Sequence, residues 1–418
     1  MKHASLRAAL LALQLAVAVV LALGPIAAIR AEAQEEVHEE APVWRYTVKP
    51  GDNLINIAER YFVDAGSWPY VQQANRIADP RRILPGTVLR ISAYLLRQEP
   101  AQAMVDKVSG EVRWRTGDGQ WQAASSGLRL ASGAVLETLD DASAVLVFAD
   151  ESRIVVAPNS LVALDSLSLY ADGLMVDTRL RLQRGQTDIE ANPEQKGGQN
   201  LQIRTPSAQA VVRGTRFRVG AGADRMRDET LGGLVAVAGA GKGVDVPAGR
   251  GTVARTGAPP IAPVPLLAAP DVGGLPTRFE QLPLRFPLPT LAAASAWEGQ
   301  IAPDVSFERI LLSKTATGPA LTFADLPNGD YVLRLRAVDA NGLRGFDALH
   351  RFVVFARPFP PGLNSPGDGA TVRSARPPFA WSDVVDIAGY HLQVATDADF
   401  SSPLYDETLT GIEWSPAA

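Results

Sequence analysis

Cysteine is absent from all 418 residues of this chain. That excludes disulfides, thiol catalysis, thiolate metal sites and a lipid-modified N-terminal cysteine, so the fold is held by packing alone. Histidine is almost as scarce: of four, His3 and His38 lie near the N-terminus and only His350 and His391 fall within later segments. Neither belongs to an H-E-x-x-H motif and no G-x-S-x-G elbow occurs, so zinc hydrolysis and a histidine-dependent triad lose their usual markers. Gly239 to Gly243, "GAGKG", has the outline of a phosphate loop. Gly243 nevertheless stands where Ser or Thr must bind magnesium, and Ala236 occupies the earlier glycine position. No cofactor and no metal are expected. Carboxylates are plentiful, and two would suffice for a glycosidase, but each acidic cluster sits at an expected turn or exposed strand face. Solvated charge is the expected role, and the chain is read as having no catalytic residue.

Long hydrophobic runs are confined to one place. Lys2 and Arg7 precede the apolar run Ala8 to Leu23, a Gly24-Pro25 break follows, and Ala31-Glu32-Ala33 supplies a small-residue cleavage site. This pattern reads as an export signal over residues 1–33, followed by an acidic tether at 34–43. The alternative is an uncleaved anchor, since the run to Ile29 reaches the roughly 20 residues that span a bilayer; only then would a membrane be involved. A periplasmic or cell-surface location is expected. The length predicts two to four domains at about 150 residues each. The net charge of −5 hides a gradient, with residues 44–97 at +4, residues 100–258 balanced and residues 270–418 at −6. A global nucleic-acid binder is excluded because the acidic bulk opposes phosphate.

"YTVKPGDNLINIAERYFV" opens on an alternating strand, turns at Pro50-Gly51, and enters a helix with Leu54, Ile57, Ala58 and Tyr61 on one face and Asn53 at its N-cap. A second helix near Ser67 to Asn75 and a closing strand after Pro85-Gly86 complete a βααβ unit at 44–97. It resembles the LysM domain. The resemblance implies binding of N-acetylglucosamine-containing glycans, peptidoglycan above all, between Gly51, Asp52, Asn53 and Leu54 on one side and Ile83, Leu84 and Pro85 on the other. The family usually has Thr or Ser at the position of Asn53.

Residues 100–258 show short alternating segments divided by Gly, Asp, Asn and Ser, such as Val135 to Thr138, Ala144 to Phe148, Arg153 to Val156 and Leu161 to Leu164, and predict an all-β roll or sandwich. In "RTPSAQAVVRGTRFRV", 204–219, Thr215, Phe217 and Val219 share one strand face while Arg216 and Arg218 share the other, which is expected to be wet. Gly214 is expected to turn the chain before this strand. The stretch resembles the signature of the FecR domain, with Val211 and Glu151 standing where glycines are usual. In that family's iron-transport regulators a cytoplasmic region holds a sigma factor; only about seven residues precede the hydrophobic run here, so any signal would need a separate membrane partner.

A Pro- and Ala-rich linker, 259–270, leads to a repeat at an offset of 93. Phe286 matches Phe379, Trp297 matches Tyr390, Gln300-Ile301-Ala302 matches Gln393-Val394-Ala395, and Asp304, Phe307, Leu311 and Leu321 match Asp397, Phe400, Leu404 and Trp414. The units, 271–357 and 358–418, resemble Ig-like or fibronectin-type β-sandwiches, the second incomplete and open-edged. Their aromatics are expected in the core, with sugar stacking by Trp297 or Trp381 as the lesser alternative. The whole predicts a multi-domain, exported, non-catalytic protein that binds peptidoglycan and offers its later modules to a protein partner. The alternatives are a periplasmic FecR-type sensor and a glycan-cleaving enzyme.

Overall fold

The computed structural model describes residues 42–192, 199–385 and 387–417; the expected export signal and all but the end of the expected acidic tether lie outside them. Among the described residues no helix is long and apolar enough to cross a membrane.

The first module pairs Val43–Thr47 with Val88–Ser92 around two short helices, Leu54–Tyr61 and Trp68–Ala74. Leu54, Ile57, Ala58 and Tyr61 are buried as their spacing predicts. The first helix begins at Asn53, whose side chain accepts from the Ile55 and Asn56 amides at 3.0 and 2.9 Å, while Asn56 accepts from the Asn53 amide at 2.8 Å. Three backbone donors at the helix start are thereby satisfied, two of them reciprocally. Trp44, Tyr46 and Tyr61 pack as one aromatic cluster, with ring centroids 4.8 to 5.9 Å apart. This core does not stop at the module's edge: Ala171 and Met175, from the hairpin Leu161–Tyr170 and Met175–Glu190, are buried within it. The Arg97 guanidinium donates to the carbonyls of Arg60 and Glu59, fastening the junction to the first helix's C-terminal turn.

The strands from Gln98 to Pro265 form one hydrogen-bonded network folded around a single apolar core. Residues 209–219 of the arginine-rich stretch lie in Gln209–Ala221. Gly214 does not turn the chain there. The strand runs on, pairing first with Gln199–Arg204 and then with Met175–Glu190, and its ladder with Arg225–Gly239 is irregular between Arg213 and Arg216, where that exchange of neighbours occurs. Glu151 takes the left-handed φ of 66° that glycine would adopt freely at its turn.

The Pro- and Ala-rich stretch is no loose tether. Val264–Pro265 pairs with Arg250–Arg255, and Leu266 is buried with Val253 and Leu343. Beyond it, a five-stranded sheet containing Ala296–Ala302, Gly329–Val338 and Ala348–Val354 faces the pair Leu284–Pro287 and Ala320–Phe323. Phe286 fills the space between, 4.9 Å from Phe279 and 5.1 Å from Phe352, ring to ring.

The repeat extends to strand register. Phe286 opposes Leu321 as Phe379 opposes Trp414, and Trp297 opposes Ala316 as Tyr390 opposes Leu409. Phe307 and Phe400 share left-handed φ values of 52° and 51°. What differs is cover: Phe307 is 1% exposed and Phe400 47%. In the first copy Ala296–Ala302 also pairs with Gly329–Val338, whereas Tyr390–Val394 has no second neighbour among the described residues. Trp297 and Trp381 are both buried, so neither offers a face for sugar stacking.

Gly185, at φ +93°, lets Met175–Glu190 pass Ser160, whose hydroxyl accepts from the Gln186 amide; an added Cβ would lie 2.1 Å from that oxygen. Gly185→Ala is expected to lose about 3 kcal/mol through left-handed strain and overpacking. Urea denaturation reads this directly, and an unchanged midpoint would refute it.

Candidate functional site

The sequence-predicted glycan site is assembled from two loops that meet. The Val48 amide donates to the Thr87 carbonyl and the Gly86 amide to the Val48 carbonyl, each at 2.8 Å, while the Leu54 amide donates to the Pro80 carbonyl at 2.9 Å. Gly51 and Gly86 both have positive φ and nothing within 4 Å of a built Cβ, which leaves open space above the shelf. Leu84 is 79% exposed, Pro85 is exposed and Ile83 half-buried. Two members already serve the fold. Asp52 accepts from the Tyr46 hydroxyl and the Lys49 amide, and Asn53 uses its side-chain oxygen in the helix cap. The Asn53 amide nitrogen has no partner among the described residues and remains able to donate. Leu54 lies wholly in the core, so only its backbone borders the shelf.

A second site was not legible in the sequence. Arg218 is not on a wet face; it is 1% exposed. Its two ladder neighbours are acids, Asp188 on one side and Glu229 on the other. In the facing sheet Arg336 stands opposite Glu298 in the same manner. The two sheets then exchange partners. Arg336 reaches Asp188 at 3.0 Å, and Arg218 reaches Asp347 at 3.2 Å and the Gly345 carbonyl at 2.7 Å. Arg334 pairs with Asp188 at 3.2 Å while lying 4.2 Å over the Phe307 ring, and Arg344 bonds Glu298. Arg216, two residues from Arg218, remains exposed. The alternation was therefore correct and the environment was not: the arginine face is covered, over part of its length, by the next module.

Electrostatics maintain this junction in its charged form. Burial alone would raise the Asp188 pKa, but Arg336, Arg334 and Arg218 outweigh it and hold the carboxyl well below its usual range. Burial is likewise outweighed at Glu298 by Arg344 and Arg336, and at Asp347 by Arg336 and Arg334. Asp228 behaves oppositely. It is buried on the core side of the strand, accepts from the Thr230 hydroxyl at 2.9 Å, and burial, with Glu229 beside it, pushes its pKa up to about 8. Between the sheets a cavity of ≈ 500 Å³ remains, lined by the buried pairs and, toward its mouth, by Arg216, Val305, Phe346 and Leu349. Among the described residues no cluster of His, Asp or Glu could hold a metal ion.

Known protein families match both modules. The model of the LysM domain matches residues 46–92 and that of the FecR protein matches residues 134–236. The chain carries both domains. An uncharacterized protein of Deinococcus radiodurans is 48% identical over 46 residues, 11% of this chain; the chain thus spans 18% of that relative's length. Two crystal structures of a candidate anti-sigma factor from Parabacteroides distasonis are 12% identical, with TM-scores of 0.26, and cover 31% and 32% of this chain and 59% and 68% of theirs. A likeness that distant carries no argument here.

Removing one partner from a buried ion network costs about 3–5 kcal/mol, whereas an exposed substitution stays within about 0.5. Arg218→Met is accordingly expected to lower unfolding stability severalfold more than Arg216→Ala; equal effects by denaturant titration would contradict the buried network. The pH dependence has two opposing parts. The depressed carboxyls Asp188, Glu298 and Asp347 stabilise the fold above their unfolded values, near pH 4, and that stability is lost as the pH falls through their folded values. Asp228 keeps a proton that the unfolded chain releases near pH 4, so its contribution is lost as the pH rises toward 8. Asp228→Asn is expected to gain stability relative to wild type between pH 4 and pH 8, and a pH-independent difference would contradict the assignment.

Proposed function

We propose that this is an exported, non-catalytic protein that binds peptidoglycan at its LysM shelf and holds its FecR-like and Ig-like modules at the wall for a protein partner. The observation that supports it best is the open shelf itself: Leu84 and Pro85 face solvent beside two glycines with free space above them, and the Asn53 amide is available to an N-acetyl or hydroxyl oxygen. The positive balance of residues 44–97 suits an anionic wall polymer. Since the LysM core includes Ala171 and Met175, the anchor and the FecR-like module move together, and anchoring raises the local concentration of everything attached. A second reading, a periplasmic sensor acting through a separate membrane partner, draws support from the FecR match at 134–236.

Deleting the whole LysM module would expose Ala171 and Met175, so a surface substitution is the cleaner test. Burying a leucine contributes about 1.5–3 kcal/mol, on the order of tenfold or more in affinity. Leu84→Asp is expected to lose at least that much in co-sedimentation of the full chain with purified peptidoglycan, with Arg216→Ala as a binding-competent control. Undiminished sedimentation of Leu84→Asp would discard the shelf, and no sedimentation by wild type would discard the anchor and favour the sensor.

A further inference from the structure

The cavity between the FecR-like sheet and the facing five-stranded sheet has, at ≈ 500 Å³, the size of a ligand site, for which roughly 300–1,000 Å³ is usual. The charges of its floor are paired, since Asp188, Arg218, Arg334, Arg336 and Asp347 form ion pairs with one another. The mouth is not. Arg216 is exposed and has neither an ion pair nor a hydrogen-bond partner among the described residues, although Glu190 stands opposite it in the ladder. The other cation at the mouth, Arg153, is occupied by Asp106 and Glu308 at 2.7 and 2.6 Å. Around the same opening Val305, Leu349 and Phe346 remain 50, 45 and 37% exposed. The unmet chemistry is one guanidinium beside three separated apolar side chains.

We propose that this cleft binds the C-terminal end of a polypeptide whose last residue is apolar, with its carboxylate on Arg216 and its side chain among Val305, Phe346 and Leu349. A guanidinium presents a planar fork that a carboxylate matches with two parallel hydrogen bonds. Terminal carboxylates are a recurring handle in peptide recognition. Polar groups, Ser306, Glu190 and Glu308, interrupt the apolar rim. That alternation suits side chains spaced along a peptide rather than one continuous alkyl chain. The site lies within the modules proposed above to meet a protein partner, and it rests on that reading only for the ligand being a polypeptide.

The test is fluorescence anisotropy of the full chain with an N-terminally labelled tetrapeptide, Gly-Ser-Val-Leu, as the free acid and as the C-terminal amide. The acid should bind saturably and the amide at least about tenfold more weakly, the usual worth of one charge-assisted contact. Arg216→Ala should abolish the difference between acid and amide, Arg216→Lys should restore part of it, and Leu349→Asp should weaken both forms. Both positions are solvent-exposed, so circular dichroism should match wild type. Equal binding of acid and amide, an unaffected Arg216→Ala, full competition by laurate, or no saturable binding up to about 1 mM would each overturn the proposal. Peptidoglycan sedimentation, measured on the same samples, is independent of the outcome; its loss would remove the anchor and leave the cleft standing.

Discussion

The junction between the FecR-like module and the sandwich beyond it depends on a buried exchange of charges. Arg218 and Arg336 are each flanked by acids in their own sheets, yet each also reaches an acid across the interface, Asp347 and Asp188 respectively. Neither sheet can withdraw without leaving charges half paired in a poorly hydrated space, where an isolated ion is far more costly than in water. A junction built this way gains orientation more than raw stability, because guanidinium forks accept carboxylates in few geometries. Apolar packing of the same area would tolerate sliding. This arrangement does not.

The same economy of linkers recurs at the other junctions. The LysM core takes in two side chains from the next module's hairpin, and the Pro- and Ala-rich stretch is consumed as an edge strand that carries Leu266 into a small cluster with Val253 and Leu343. Proline suits that position because an edge strand leaves some amides without a ladder partner. The proposed glycan shelf and the interdomain cleft are therefore fixtures of one body, and the proposed wall binding would set where the cleft is presented.

The repeat shows how far local pattern can carry architecture. Residues 93 apart occupy equivalent ladder positions and even share the left-handed conformation at Phe307 and Phe400. Burial does not repeat. Phe400 and Leu404 are 47 and 64% exposed, since burial depends on neighbouring strands and only the first copy has them among the described residues.

Sequence by itself determined the strand and helix periods, the capped helix at Asn53, the two glycine-dependent loops of the shelf, the 93-residue repeat, and the division of "RFRV" into a core face and an arginine face. These follow from neighbouring residues and backbone geometry, which a linear pattern records. Tertiary structure decided what lay opposite each face. It removed Leu54 from the shelf, joined the Pro- and Ala-rich linker to a sheet, and turned Arg218 from an expected wet residue into the centre of an interface while leaving Arg216 in solvent. A matching R-x-R pattern at Arg334 and Arg336 was present in the sequence, but alternation specifies only which residues share a face. Whether that face meets water or another charged sheet depends on contacts more than 100 residues apart, which no local period encodes.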